Sequence, residues 1–322
     1  MTKGGNFKAP FKAGVQKVIY LSGEVAAAWI FLSACANTQA QNLYASSLDG
    51  KIYKFTPGGG QTVFASGVGA AGGLAFDSAG NLFVADYSTG RISRIAPNGV
   101  TSTFAQLSGG AVGLTIDASG NLFVGNMVNG TITEISPGGV SRLFASGLNE
   151  PTALAFNSSG VLFEADAGSG NVNEFTTTGL ISTFASGLNH PYGLAFDRTG
   201  NLLVASEPAP NDLFKITPQG YVSTFYSGYS AHPLGLAIDS NGNLFAADST
   251  SGGIDEFTAE GVESIFAAKP VNGQFEYLAF QPAPEPSTLG LLVMAAVTFH
   301  FGRSYVSNRA RGNNARIVQA IS

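Results

Sequence analysis

The chain has 322 residues, 44% hydrophobic and 11% charged, with 42 glycines, 24 phenylalanines and one cysteine. High hydrophobicity with few charges excludes whole-chain disorder, a lone cysteine excludes an internal disulfide framework, and the glycine content falls far short of a collagen repeat. The net charge of −5 hides a segregation: residues 41–282 hold 8 Lys+Arg against 19 Asp+Glu, and the other basic residues lie at the two ends. An acidic body repels phosphate backbones, so no nucleic-acid partner is expected.

In chain order, four lysines (Lys3, Lys8, Lys12 and Lys17) precede the apolar stretch Val25–Ala34. A positive flank, a short apolar core and small residues beyond it are the parts of a secretory signal peptide, placed at residues 1–40. The stretch is too short to cross a bilayer, which takes about 20 apolar residues. Two processing sites compete. Thr38-Gln39-Ala40 offers a small residue at the cut, leaving Gln41 as the new terminus. Leu32-Ser33-Ala34-Cys35 instead resembles a bacterial lipoprotein box, with Cys35 as the lipidated residue. Export is the expectation from either, and the body that remains contains no cysteine.

From residue 41 a unit of about 40 residues recurs six times. Its first segment reads GGLAFD, VGLTID, TALAFN, YGLAFD, LGLAID and EYLAFQ, ending at 77, 117, 157, 197, 239 and 281. A second recurs as NLYAS or NLFVA, a third as KIYKF or RISRI, and a fourth carries the column Phe64, Phe104, Phe144, Phe184, Phe225 and Phe266. Short Val-, Ile-, Phe- and Thr-rich runs bounded by turn residues are strands. The joins, DSAGN and its copies and then PNG or PGG, are hairpin turns. Four antiparallel strands in each of six units predict an all-β chain, a six-bladed β-propeller over residues 41–282. The body opens on a second strand and ends on a first strand. The ring is therefore expected to close by pairing Tyr277–Gln281 with the sheet begun at Asn42, removing two exposed edges. In the first strands Leu74 and Phe76 alternate with Ala75, so large side chains of one blade are expected against small ones of the next.

The stretch LNHPYGLAFDRTGNLLVAS and its copies resemble NHL repeats and the gluconolactonase and streptogramin-lyase propellers, over residues 42–281. This resemblance implies the fold and leaves activity open, because such relatives include binding modules, lactonases and lyases. A gluconolactonase-like hydrolase would hold one divalent ion near the axis, and a streptogramin lyase would need a histidine acid/base. No nucleophile elbow or P-loop accompanies them.

Strand order assigns the fourth-to-first and second-to-third loops to one face, where variable residues and any site are expected. One column there reads Ala70, Gly110, Glu150, His190, His232 and Gln274. Glu150, His190 and His232 form a workable zinc or iron set on adjacent blades, although each precedes a proline as ordinary loop residues do. A second column, Ser47, Asp86, Asn126, Asp166, Ser206 and Asp248, reads either as oxygen ligands for calcium or a polar substrate, or as caps of its own loops. Glu164 replaces a valine on an otherwise apolar face, so it is expected at the channel wall or costly to bury. His190, His232 and Glu164 are the candidates for catalysis.

The chain ends with Pro284-Glu285-Pro286, the apolar run 289–301, Arg303 and further arginines, then a tail over 312–322. Residues 283–311 resemble a PEP-CTERM sorting signal, whose hydrophobic helix spans a membrane until an exosortase-type enzyme processes it. His300 and the spread of the arginines depart from that pattern. The resemblance implies delivery to the envelope or extracellular surface of a Gram-negative bacterium. The expected role is a binding or structural module for envelope carbohydrate or protein, without a firm cofactor. The alternative is a lactonase or lyase using a divalent metal such as zinc or calcium at the channel mouth.

Overall fold

The structure, a computed structural model, describes residues 41–207, 211–229, 232–271 and 273–282. The expected leader with Cys35, the Pro284-Glu285-Pro286 motif and the apolar run 289–301 lie outside these residues. Among the described residues no helix is long and apolar enough to cross a membrane.

Six four-stranded antiparallel sheets form the blades. Blade 1 holds Leu43–Ser47, Lys51–Phe55 and Gln61–Ser66, with Phe275–Phe280 as its innermost strand. Blades 2 to 6 begin with the first strands Ala71–Phe76, Ala111–Ile116, Pro151–Phe156, Pro191–Phe196 and Pro233–Ile238, and each runs outward in sequence order. The expected six-bladed ring is thus observed.

The repeated turn explains why each first strand stops where it does. Asp77 Oδ1 accepts hydrogen bonds from the backbone N–H of Ala79 and Asn81, and its Oδ2 accepts from Asn81 Nδ2 at 2.7 Å. Gly80 supplies the positive φ, 79°, that closes the hairpin. Asp117 and Asp197 make the same three bonds. In blade 1 this hairpin is cut open, and Gln281 and Asn42 rebuild it across the chain ends. Gln281 N–H donates to the Asn42 carbonyl at 3.0 Å, and Asn42 Nδ2 donates back to Gln281 Oε1 at 3.3 Å. The closing strand pairs Leu43 with Phe280, Tyr44 with Ala279 and Ala45 with Leu278.

Between blades the alternation of large and small side chains holds, with a sharper reason than alanine alone. In four of the six blades the residue before the first-strand leucine is a glycine that faces the next blade so closely that a Cβ at Gly73 would lie 2.5 Å from the Val112 carbonyl oxygen. At Gly235 the same atom would lie 2.5 Å from Tyr277 Cα. Aromatic triplets then rivet neighbouring blades edge to face. Phe163 meets Phe184 of its own blade at 4.9 Å and Phe196 of the next at 5.1 Å, and Phe123 and Phe245 sit in equivalent triplets. Such pairs contribute roughly 0.5–1.5 kcal/mol each beyond area burial.

Candidate functional site at the channel rim

The six first strands enclose an axial cavity of about 240 Å³. Small residues line it at the position before each leucine, Gly73, Gly113, Ala153, Gly193 and Gly235; the sixth copy is Tyr277. One aromatic ring therefore breaks the symmetry of the channel.

At the rim, the column Ala70 to Gln274 has a common backbone task. The carbonyl of every member accepts a hydrogen bond from the residue that follows a second strand, as in Ala167 N–H to Glu150 O at 3.1 Å and Glu207 N–H to His190 O at 3.2 Å. The six copies leave the side chains free to differ. The geometry also imposes a left-handed backbone on part of the column. Gly110 has φ 97°, Glu150 59° and His190 42°, and the last two are the non-glycine residues with positive φ among those described. A side chain in that region costs about 1–2 kcal/mol, and a following proline disfavours it further. Sequence reading missed this strain, because glutamate and histidine carry no propensity that announces it.

Glu150, His190 and His232 are all exposed at the rim. Among the described residues, however, no three His, Cys, Asp or Glu side chains converge closely enough to hold a metal ion. What converges is a different set. His232 Nδ1 lies 3.7 Å from Glu207 Oε1, a buried oxygen without a hydrogen-bond partner among the described residues. Burial raises the Glu207 pKa, while the nearby His232 and His190 act to lower it. Burial likewise raises Tyr192, with the Glu207 and Glu150 charges adding to the effect. Glu276 is raised by burial and by Glu207, against a hydrogen bond of 2.9 Å from Gln274 Nε2. Tyr277 is raised by burial first, then by Glu276, Tyr192, Glu207 and Tyr87. Glu207, Glu276 and the tyrosines were not singled out in the sequence. Glu207 lies one position after the Asp86/Asp248 column, and that offset was the available signal.

On the other side of Glu150, a groove of about 380 Å³ runs past Tyr87, Met127, Asn129 and Asn149. The rim therefore offers carboxylates, amides, imidazoles and aromatic rings contributed by all six blades, and these groups can hydrogen-bond, stack and exchange protons.

Four members of the second column serve as loop caps. Asp86, Asn126, Asp166 and Asp248 are 3–4% exposed. Asp86 Oδ1 accepts from Ser88 and Thr89 N–H, and Asp248 from Thr250 and Ser251 N–H. Asn126 Oδ1 accepts from Val128 and Asn129 N–H; Asp166 takes Asn149 and Ser169 N–H. Ser206 Oγ donates to the Asn189 carbonyl.

Glu164 is not among the residues lining the axial cavity. It is fully buried within blade 4, paired with Leu154 and Asn173 on the neighbouring strands. Its counterpart Val204 packs among Phe163 and Ala165 of the preceding blade, which places Glu164 at the interface of blades 3 and 4. Oε2 accepts from Asn173 Nδ2 at 2.9 Å, Oε1 has no partner, and burial raises the pKa to about 8. Of the two expectations, costly burial is the one observed.

No family model matches the chain, and no curated protein matches it. Solved structures do. A chain of a nidogen/laminin complex superposes with a TM-score of 0.67 at 18% identity, covering 76% of this chain and 98% of its own. A streptogramin B lyase gives 0.59 at 15% identity, covering 74% and 95%. A gluconolactonase from Xanthomonas campestris gives 0.57 at 20% identity, covering 66% and 83%. At such identities the likeness shows the fold alone. The chain is a six-bladed β-propeller with structural neighbours of NHL and gluconolactonase-like type.

Proposed function

We propose that the propeller is an exported recognition module of the bacterial envelope or matrix, binding carbohydrate or protein at its channel rim. The observation that carries this reading is the pair of strained residues, Glu150 and His190, held left-handed where glycine would relax the chain. Strain of this kind persists where the side chain is used. The Tyr87–Glu150 groove supports an extended glycan, since planar amides, carboxylates and an aromatic ring suit sugar hydroxyls and faces. The leader and the Pro284-Glu285-Pro286 segment support export and sorting by an exosortase-type enzyme.

A glycan array and matrix polysaccharide fractions should be probed with the full chain and with a Glu150→Ala/His190→Ala/Glu207→Gln variant. Binding lost in the triple variant and kept in a hairpin-face control supports the reading; equal binding by both refutes it. A second reading, acid–base catalysis, is favoured by the 3.7 Å approach of His232 to the buried Glu207 oxygen. Lactone hydrolysis or lyase turnover abolished by His232→Ala would establish it.

A further inference from the structure

We propose that the hairpin face of the propeller docks on a lipid bilayer, so that the rim site points away from the membrane. This rests on the reading of 289–301 as an anchor before processing. The turns between third and fourth strands end on Val100, Val140, Leu180, Tyr221 and Val262, each 62–74% exposed. Single exposed apolar residues are ordinary. One per blade, at the same turn position in blades 2 to 6, is not a scatter.

Antiparallel order puts all five at the end of the blades opposite the rim. The turns are rigid: Ala96 N–H donates to Val100 O at 2.9 Å, with equivalent bonds at Ser136, Thr176, Thr217 and Thr258. Each turn also leans on the preceding blade, a Cβ on Gly99 meeting Phe64 O and one on Gly220 meeting Phe184 O at 2.9 Å. Within these turns Pro97-Asn98, Pro137-Gly138, Thr177-Thr178 and Pro218-Gln219 are uncharged, Glu260 being the exception; the first-to-second turns of the same face add Asp77, Asp117, Asp197 and Asp239, whose carboxylates are engaged by their own turn amides, and the exposed Arg198.

The chain ends identify the occupant. The first strand Phe275–Phe280 runs from rim to hairpin face, and the second strand Leu43–Ser47 runs back, so Gln41 and Pro282 both leave from the hairpin face. They leave in blade 1, whose turn carries Gly60 in place of an apolar tip. Six residues, 283–288, separate Pro282 from the apolar run, and with Pro284 and Pro286 among them they span about 20 Å when extended. A bilayer holding 289–301 therefore lies within reach of the tips. An acidic body makes neutral lipid the better partner.

The test uses the full chain with Cys35→Ser and single labelling sites at Val140→Cys, Leu180→Cys or, on the rim, Asn129→Cys. Spin-labelled protein is reconstituted in phosphatidylcholine vesicles, and accessibility to oxygen and to a water-soluble nickel complex is measured. Labels at 140 and 180 should gain oxygen and lose nickel access relative to dilute detergent, by two-fold or more, while the label at 129 stays in water. Water-like behaviour of all three in vesicles that the chain has entered overturns the docking alone and leaves rim recognition standing. Failure of the chain to float with the vesicles overturns the anchor reading with it. Protection at 140 and 180 that persists in detergent and grows with protein concentration assigns the face to a second copy instead, and also overturns the proposal.

Discussion

Glu164 makes the stability of this propeller depend on a single proton. The side chain is fully buried between blades 3 and 4, with Asn173 as donor to one oxygen and nothing on the other. Its pKa rises from 4.5 to about 8 on folding, chiefly through burial, with Asp166 adding repulsion and the Asn173 bond opposing. Below pH 4.5 the group is protonated in folded and unfolded chain alike, and it contributes no slope. Between that pH and about 8 the unfolded chain has released the proton and the folded chain keeps it, so stability falls as pH rises. The fall is about 1.4 kcal/mol per pH unit, reaching roughly 3 kcal/mol at pH 7 and about 5 kcal/mol above pH 8. Glu164→Gln keeps an acceptor for Asn173 and removes the proton; Glu164→Val installs the residue of blades 2, 3 and 5. Urea unfolding of wild type and both variants from pH 5 to pH 9 isolates this group, because titrations not coupled to Glu164 cancel in the difference. The gap should widen with pH and flatten above 8. Parallel profiles would refute the buried neutral carboxyl.

The rim strain is testable by relief. Glu150→Gly and His190→Gly should each raise stability by about 1 kcal/mol in denaturant unfolding while weakening rim binding, whereas Glu150→Ala keeps the strained backbone and gains nothing. Gly73→Ala drives a methyl into the Val112 carbonyl and should lower stability by roughly 1–3 kcal/mol, read as a shift in unfolding midpoint. His232→Ala removes a charge that draws the Glu207 pKa down, so that carboxyl should titrate at higher pH in the variant when followed by NMR. Asp197→Ala breaks four turn bonds and the ion pair with Lys215 and should cost about 1 kcal/mol, measured by thermal unfolding.

The blade count, the closing strand and the two faces were legible because the unit is written six times: the four Asp-x-x-Gly-Asn turns, from Asp77, Asp117, Asp197 and Asp239, repeat the same backbone hydrogen bonds, so one copy explains the other three. The opening of blade 1 at Gln281 and Asn42 followed from the phase of the repeat. The rim resisted for the opposite reason. Leu48, Tyr87, Met127, Ala167, Glu207 and Ser249 occupy one column with six different residues, and repetition gives no handle on a position where nothing repeats. The left-handed backbone at Glu150 and His190 had no local signal either, since Ala70 and Gln274 accept the same carbonyl bonds without it. Glu164 stood out as a charge among valines. Its place between blades needed the register of Leu154 and Asn173.

Recognition at the rim is the central claim, and hydrogen–deuterium exchange of the full chain tests it most directly. The comparison is with and without matrix polysaccharide from a Gram-negative host that carries an exosortase. Slowed exchange at 149–150, 189–192, 207, 232 and 274–277, with the hairpin turns at 98–100 and 178–180 unchanged, is the expected result. Protection confined to the hairpin turns, with a rim that exchanges as freely as in the unbound chain, would contradict it.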